Sequence, residues 1–152
     1  MSTVAFRHGV MAADSGAWLC SGSVVMPFAQ KLVKGNDNCL YGAVGQAAGA
    51  EAYFQWVKGG YQGQEPLPIP CKDDSEQSRF VILRAHPAGE VSLITAFGVE
   101  RYPAAPYLAI GPGAAVALGA LWAGASAVEA ISAALVHADA ARGEVRSISF
   151  QR

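Results

Sequence analysis

Ser2-Thr3-Val4-Ala5-Phe6-Arg7-His8-Gly9-Val10-Met11-Ala12-Ala13-Asp14 places two short apolar runs on either side of a three-residue break. Val and Phe favour extended backbone and His8-Gly9 favours a turn, so a tight hairpin is predicted, with strands at 3–6 and 10–13. The N-terminus is then itself in a strand. Further along, 24–28 and 30–34 read as a second pair around Pro27, and 39–44 as a strand after the Gly35-Asn36-Asp37-Asn38 turn. Ala50, Tyr53, Phe54 and Val57 share one face of a helix predicted over 46–58, which Gly59-Gly60 stops. Residues 61–78 contain Pro66, Pro68 and Pro70 and read as a loop. A hairpin follows at 79–85 and 90–96, around His86-Pro87-Ala88-Gly89. One or two short strands fall within 101–110, helices at 114–123 and 127–141, and a last strand at 144–150. Strands, helix, strands, helices, strand describes a layered α+β fold with both sheet faces covered. No repeat or low-complexity linker divides it, so 1–152 is expected to be a single domain.

The formal net charge is −1, from 11 Lys plus Arg and 12 Asp plus Glu. That balance offers no basic face for nucleic acid or an anionic membrane. Only 15% of residues are charged while 52% are hydrophobic, which excludes disorder and leaves fewer charges than the roughly 25% of an ordinary domain. Either a segment enters a membrane or the domain hides surface against copies of itself. The most apolar run, 114–136, is long enough to span about 30 Å as a helix. It is, however, mostly Ala with Gly119, Gly124, Ser126, Glu129 and Ser132 inside it, a weakly apolar mixture. Ser126 and Glu129 also form a capping box that starts a new helix after Gly124. The N-terminus lacks the features of a secretory signal. Cys20, Cys39 and Cys71 suggest neither a disulfide framework nor a zinc site, so a reducing cytoplasm, no metal and no cofactor are expected.

No Gly-x-Ser-x-Gly elbow, Walker loop or His-Glu-x-x-His occurs, and His8, His86 and His137 are isolated, as turn or surface histidines are. Gly42-Ala43-Val44-Gly45-Gln46 and Gly111-Pro112-Gly113 each follow a strand and precede a helix without completing a dinucleotide fingerprint. Tight turns and close backbone contacts explain both. Met1-Ser2 is different. Removal of Met1 would leave a hydroxyl and a free α-amine on one residue, a nucleophile beside a base that titrates near 7.7–8.0. Many ordinary proteins begin in the same way.

The chain resembles a family in the order of its motifs. Ser2-Thr3-Val4-Ala5-Phe6, Val10-Met11-Ala12-Ala13-Asp14-Ser15, Gln30-Lys31-Leu32-Val33 and Leu40-Tyr41-Gly42-Ala43-Val44-Gly45 are similar to the opening of proteasome β-subunits and the HslV peptidase, above all to short HslV-like proteins of phages and prophages. Ala109-Ile110-Gly111-Pro112-Gly113 and Ala123-Gly124-Ala125-Ser126-Ala127 continue the match; 61–78 departs from it, where the central helical region is shortened. The resemblance implies the N-terminal nucleophile hydrolase fold, a four-layer αββα sandwich of two antiparallel sheets between helices. It also implies roles. Ser2 takes the place of the N-terminal threonine nucleophile, Lys31 that of the catalytic lysine, and Asp14 that of its acidic partner. Gly42 matches the glycine whose N–H stabilises the oxyanion. Asp139, in Asp139-Ala140-Ala141-Arg142-Gly143, matches loosely the Asp that supports the nucleophile. An ammonium beside the terminal amine would lower the pKa of amine and hydroxyl, and a carboxylate would orient the lysine. Outside that pattern, a strand-end Asp and Lys form an ordinary surface pair.

Two departures stand out. Ser replaces Thr as nucleophile and loses the methyl that fixes its rotamer. Pro112 stands where the family carries Ser, and proline has neither hydroxyl nor N–H. Three functions follow from the resemblance: a peptidase cutting peptides or unfolded polypeptides inside a homo-oligomeric ring of six or more subunits; a catalytically inactive shell or assembly subunit; and an acylase for a small amide. An ATPase unfoldase is the partner the family implies for folded substrates, and nothing in the sequence resembles a docking tail for one.

Overall fold

A computed structural model describes residues 2–18, 25, 26, 28–69, 80–139 and 141–151. Among them the strands are β1 (Val4–Arg7), β2 (Val10–Asp14), β3 (Ala17–Trp18), β4 (Val25–Met26), β5 (Leu32–Lys34), β6 (Leu40–Gly45), β7 (Phe80–Ala85), β8 (Val91–Thr95), β9 (Gly98–Tyr102), β10 (Tyr107–Ile110) and β11 (Val145–Ser149). The helices are α1 (Ala47–Lys58), α2 (Ala114–Trp122) and α3 (Ala127–His137). The opening hairpin forms as predicted, with His8 and Gly9 at φ 49° and 76°, the left-handed pair of a two-residue type I′ turn.

Two antiparallel sheets result, in the orders β10-β1-β2-β11 and β5-β6-β7-β8-β9. Strand alternation sorts their side chains into three apolar layers. Val4, Phe6, Met11, Leu40, Leu83 and Val91 meet between the sheets. On the outer face of the five-stranded sheet, Tyr41, Ala43, Phe80 and Ile82 pack against Tyr53, Phe54 and Val57 of α1. On the outer face of the other, Ala5, Ala12 and Ala109 receive Ala117 and Leu121 of α2 and Ala130 and Ile131 of α3. The alanines matter: small side chains on both surfaces let two helices lie close to the sheet. The order helix, sheet, sheet, helices is the αββα sandwich that the resemblance implies.

Local chemistry starts α1 and α3 and ends α1 where the sequence says it should. The Gln46 side chain accepts the Gly49 N–H at 2.9 Å to start α1, and Gly59 ends it. Ser126 and Glu129 exchange side-chain to backbone bonds of 3.1 and 2.7 Å, completing the capping box of α3. Two expectations need correction. The pair expected at 24–28 and 30–34 does not form: β4 joins β3 in a separate ribbon, and β5 pairs with β6. Lys31 already accepts the Ala43 N–H at 3.0 Å, so this stretch is committed to β6. Helix α3 stops at His137 because Ala138 is extended, at φ −108° and ψ 129°. Of the loop expected at 61–78, residues 61–69 carry no helix or strand, and the rest lies outside the described residues.

Gly42 sits at the centre of this packing. A Cβ there would lie 2.6 Å from Val4 Cγ1 and 2.9 Å from Met11 Sδ, both in the layer between the sheets. Gly42→Ala is therefore expected to lower stability by about 1–3 kcal/mol through overpacking, read as a lower denaturation midpoint in urea.

Candidate active site

All the groups of interest lie at one end of the sandwich, where β1 begins, β2 ends, β5 begins and β6 and β10 end. The pairing of β1 with β2 continues one step beyond the strand, where the Thr3 carbonyl accepts the Asp14 N–H at 3.3 Å. That register brings the Asp14 carboxylate to the start of the chain. Its Oδ1 accepts the Thr3 N–H at 2.8 Å and the Lys31 ammonium at 2.9 Å. Its Oδ2 accepts the Arg142 N–H at 3.1 Å. Lys31 also donates to the Gly16 carbonyl. Asp14 is 1% exposed and Lys31 7%, so this is a buried, fully bonded pair rather than the surface pair that the sequence left open. Burial lowers the Lys31 pKa from its ordinary value, with the charge and hydrogen bond of Asp14 acting in the opposite direction.

Ser2, joined to the Thr3 that bonds Asp14, is only 8% exposed, and the alternation of β1 carries it to the face shared by Val4 and Phe6. Its carbonyl lies against the Cα of Gly111, where a Cβ would overlap it. Thr3 points to the opposite face, where its Oγ1 accepts the Gly113 N–H at 3.2 Å. The Gly111-Pro112-Gly113 turn thus grips residues 2 and 3 from both sides, with Pro112 itself exposed between the two glycines.

Not every expected residue takes the place that the resemblance gave it. The Ala43 N–H points to β5, so by alternation the Gly42 N–H points the other way, into the ladder with Leu83 of β7. Gly42 is a packing residue, and its N–H is spent inside the sheet. Gly45 is better placed. Its N–H points to the side of Ala43, past the point where Lys31 ends that pairing, and its φ of 101° turns the chain into α1. Its neighbour Val44 packs against Gly111, next to the Ser2 carbonyl. The signal was present in the sequence as a second glycine between strand and helix. Asp139 lies exposed on the turn after α3, and among the described residues no bond ties it to Asp14 or Lys31. The chain reaches the site three residues later instead: Gly16 donates to the Arg142 carbonyl at 2.7 Å, and the Ser15 hydroxyl accepts the Glu144 N–H at 2.8 Å. A main-chain contact of this kind leaves no trace in residue identity.

A cleft of about 440 Å³ opens between β5 and β11, lined by Asp14, Lys31, Leu32, Arg146 and Ile148. Among the described residues no three His, Cys, Asp or Glu side chains group as metal ligands.

Solved structures share this architecture. HslV from Trypanosoma brucei, a eukaryotic HslV, superposes with a TM-score of 0.68 at 19% identity, over 97% of this chain and 98% of that one. BPH from Thiobacillus denitrificans in complex with epoxomicin gives 0.64 at 19% identity, over 99% of each chain. BPH without it gives 0.61 at 22% identity, over 97% and 95%. No protein-family profile and no curated protein matches the sequence. The HslV-like fold read from the motifs is therefore the fold of the chain.

The pair makes a prediction about stability. Asp14→Asn leaves the Lys31 ammonium buried without its counter-charge and should cost about 3–5 kcal/mol in urea unfolding. A Lys pKa that is lower in the folded than in the unfolded state makes stability rise with pH between the lowered value and 10.5, because there the unfolded chain binds more protons. The stability difference between the parent and Lys31→Met should follow that rise, and a difference that stays flat up to pH 10.5 would contradict it.

Proposed function

We propose that the chain is a single-domain N-terminal nucleophile hydrolase, a peptidase whose nucleophile is Ser2 once Met1 has been removed. Met1 lies outside the described residues; while it is present, Ser2 carries an amide instead of a basic amine. The observation that carries the reading is the buried Lys31–Asp14 pair, bonded through Asp14 Oδ1 to the N–H of the residue next to Ser2. A desolvated ammonium at that place has a cost, and activation of a terminal nucleophile is a use for it.

In this mechanism the α-amine accepts the Ser2 hydroxyl proton as Oγ attacks the substrate carbonyl carbon. Lys31 favours the deprotonated amine and the developing alkoxide by its charge, and Asp14 holds Lys31 in place. The Gly45 N–H, at the N-terminal end of α1, donates to the oxyanion. The protonated amine then passes its proton to the leaving nitrogen, leaving an ester on Ser2 that water hydrolyses. Pro112 supports a second reading, an inactive shell or assembly subunit, because the residue beside Ser2 has no hydroxyl to move protons. Epoxomicin bound to the similar BPH structure suggests the probe. Intact mass after epoxomicin treatment should show loss of Met1 and one covalent adduct per chain, absent in Ser2→Ala. A chain that keeps Met1 and takes no adduct overturns the peptidase.

We also propose a homo-oligomeric ring of six or more subunits, with peptides or unfolded polypeptides as substrates and the cytoplasm as its location. Trp122 at the end of α2 is 81% exposed and Val136 on α3 is 75% exposed, on a layer rich in alanine. Packing these helices against neighbours would account for the low content of charge. Among the described residues no helix is long and apolar enough to cross a membrane. Light scattering should give the mass of a closed ring, and a monodisperse monomer would refute the assembly.

A further inference from the structure

Thr3 is fully buried, yet its side chain faces away from the layer in which Ser2 stands. The hydroxyl accepts the N–H of Gly113, the N-cap residue of α2, which forms no side-chain cap of its own. In a capping box that N–H would be taken by a Glu or Gln side chain at the third helical position, where α2 carries Val116. Thr3 supplies the acceptor from β1 instead. Its other polar groups are fixed as well: the N–H by Asp14 Oδ1 at 2.8 Å and the carbonyl by the Asp14 N–H at 3.3 Å. All three lie within one residue of the Ser2 main chain, whose carbonyl rests on Gly111.

We propose that Thr3 is a positioning residue for the terminal nucleophile, its hydroxyl locking the Gly111-Pro112-Gly113 turn onto the chain start so that Ser2 keeps a fixed place beside Lys31. Pro112 belongs to the device. A proline between two glycines has a fixed φ, so the separation of the two gripping points is set in advance. Displacement of a reacting group by about 1 Å can cost about 100-fold in rate, which is the scale on which such a lock acts.

This inference rests on Ser2 being the nucleophile, and its test separates the two. Thr3→Val keeps the shape and removes the acceptor; Thr3→Ser keeps the acceptor. Thr3→Val should lower the rate of epoxomicin labelling by about tenfold or more, move the midpoint of its pH profile, and speed amide exchange over 113–116, while Thr3→Ser stays within about threefold of the parent in all three. A residue that only supports the fold would lower the melting temperature without moving the pH midpoint, and that result overturns the proposal. So does parent-like labelling by folded Thr3→Val. If Thr3→Val does not fold, Thr3→Cys, with a weaker acceptor, must label more slowly than Thr3→Ser, and equal rates overturn the lock. If the parent takes no adduct, the hydrolase reading fails. The positioning role then falls with it, whereas parent-like labelling by folded Thr3→Val overturns the positioning role alone.

Discussion

The Asp14 carboxylate is the fixed point of this molecule. It is 1% exposed and receives a backbone N–H from the chain start, an ammonium from the start of β5 and a backbone N–H from the segment before β11. A buried carboxylate is tolerated only when such partners replace its water. Three segments distant in sequence are therefore held to one point. Between them they join the two sheets at a single end of the sandwich, where Asp14 and Lys31 meet the residue next to Ser2.

The rest of the architecture keeps that end rigid. In the layer between the sheets, Val4 and Met11 take the space that a side chain at Gly42 would need. Each fully buried Leu or Met in this layer contributes about 1.5–3 kcal/mol, so the site stands on a well-anchored floor. Above it, the Gly-Pro-Gly turn presses on the main chain of residues 2 and 3. Arg7, at the other end of β1, donates to the Leu121 and Ala125 carbonyls and ties the C-terminal end of α2 to the same strand. Strand β1 and helix α2 are thus joined at both ends. Rigidity of this kind suits the proposed role of Ser2, since a chain terminus is the part of a protein most prone to fray.

Much of this was legible in residue order. The β-branched runs, the His8-Gly9 turn, the Ser126–Glu129 box and the helical spacing of Tyr53, Phe54 and Val57 act through contacts within a few residues, and the structure follows each of them. Ser2, Asp14 and Lys31 were named from a motif order; Lys31 bonds Asp14, and Asp14 bonds the residue after Ser2. Gly42 and Asp139 show where the same reasoning failed. Which way a strand N–H points depends on its neighbours in the sheet, so the glycine directed into the ladder could not be told from the one beyond it. Asp139 has a side chain suited to the task, but the chain meets Asp14 through the main chain of Arg142, which any residue with an N–H could supply.

By itself the sequence determined the kinds of elements, their order and the chemical groups available, because propensity, periodicity and capping are local. It also fixed the shortage of charge and the proline at 112. Only the tertiary structure decided that an ordinary Asp and Lys become a desolvated pair, that a threonine bonds the start of a helix more than a hundred residues away, and that Gly42 is committed to the ladder with β7. Burial, strand parity and close approach are properties of segments brought together from different parts of the chain, and no single stretch contains them.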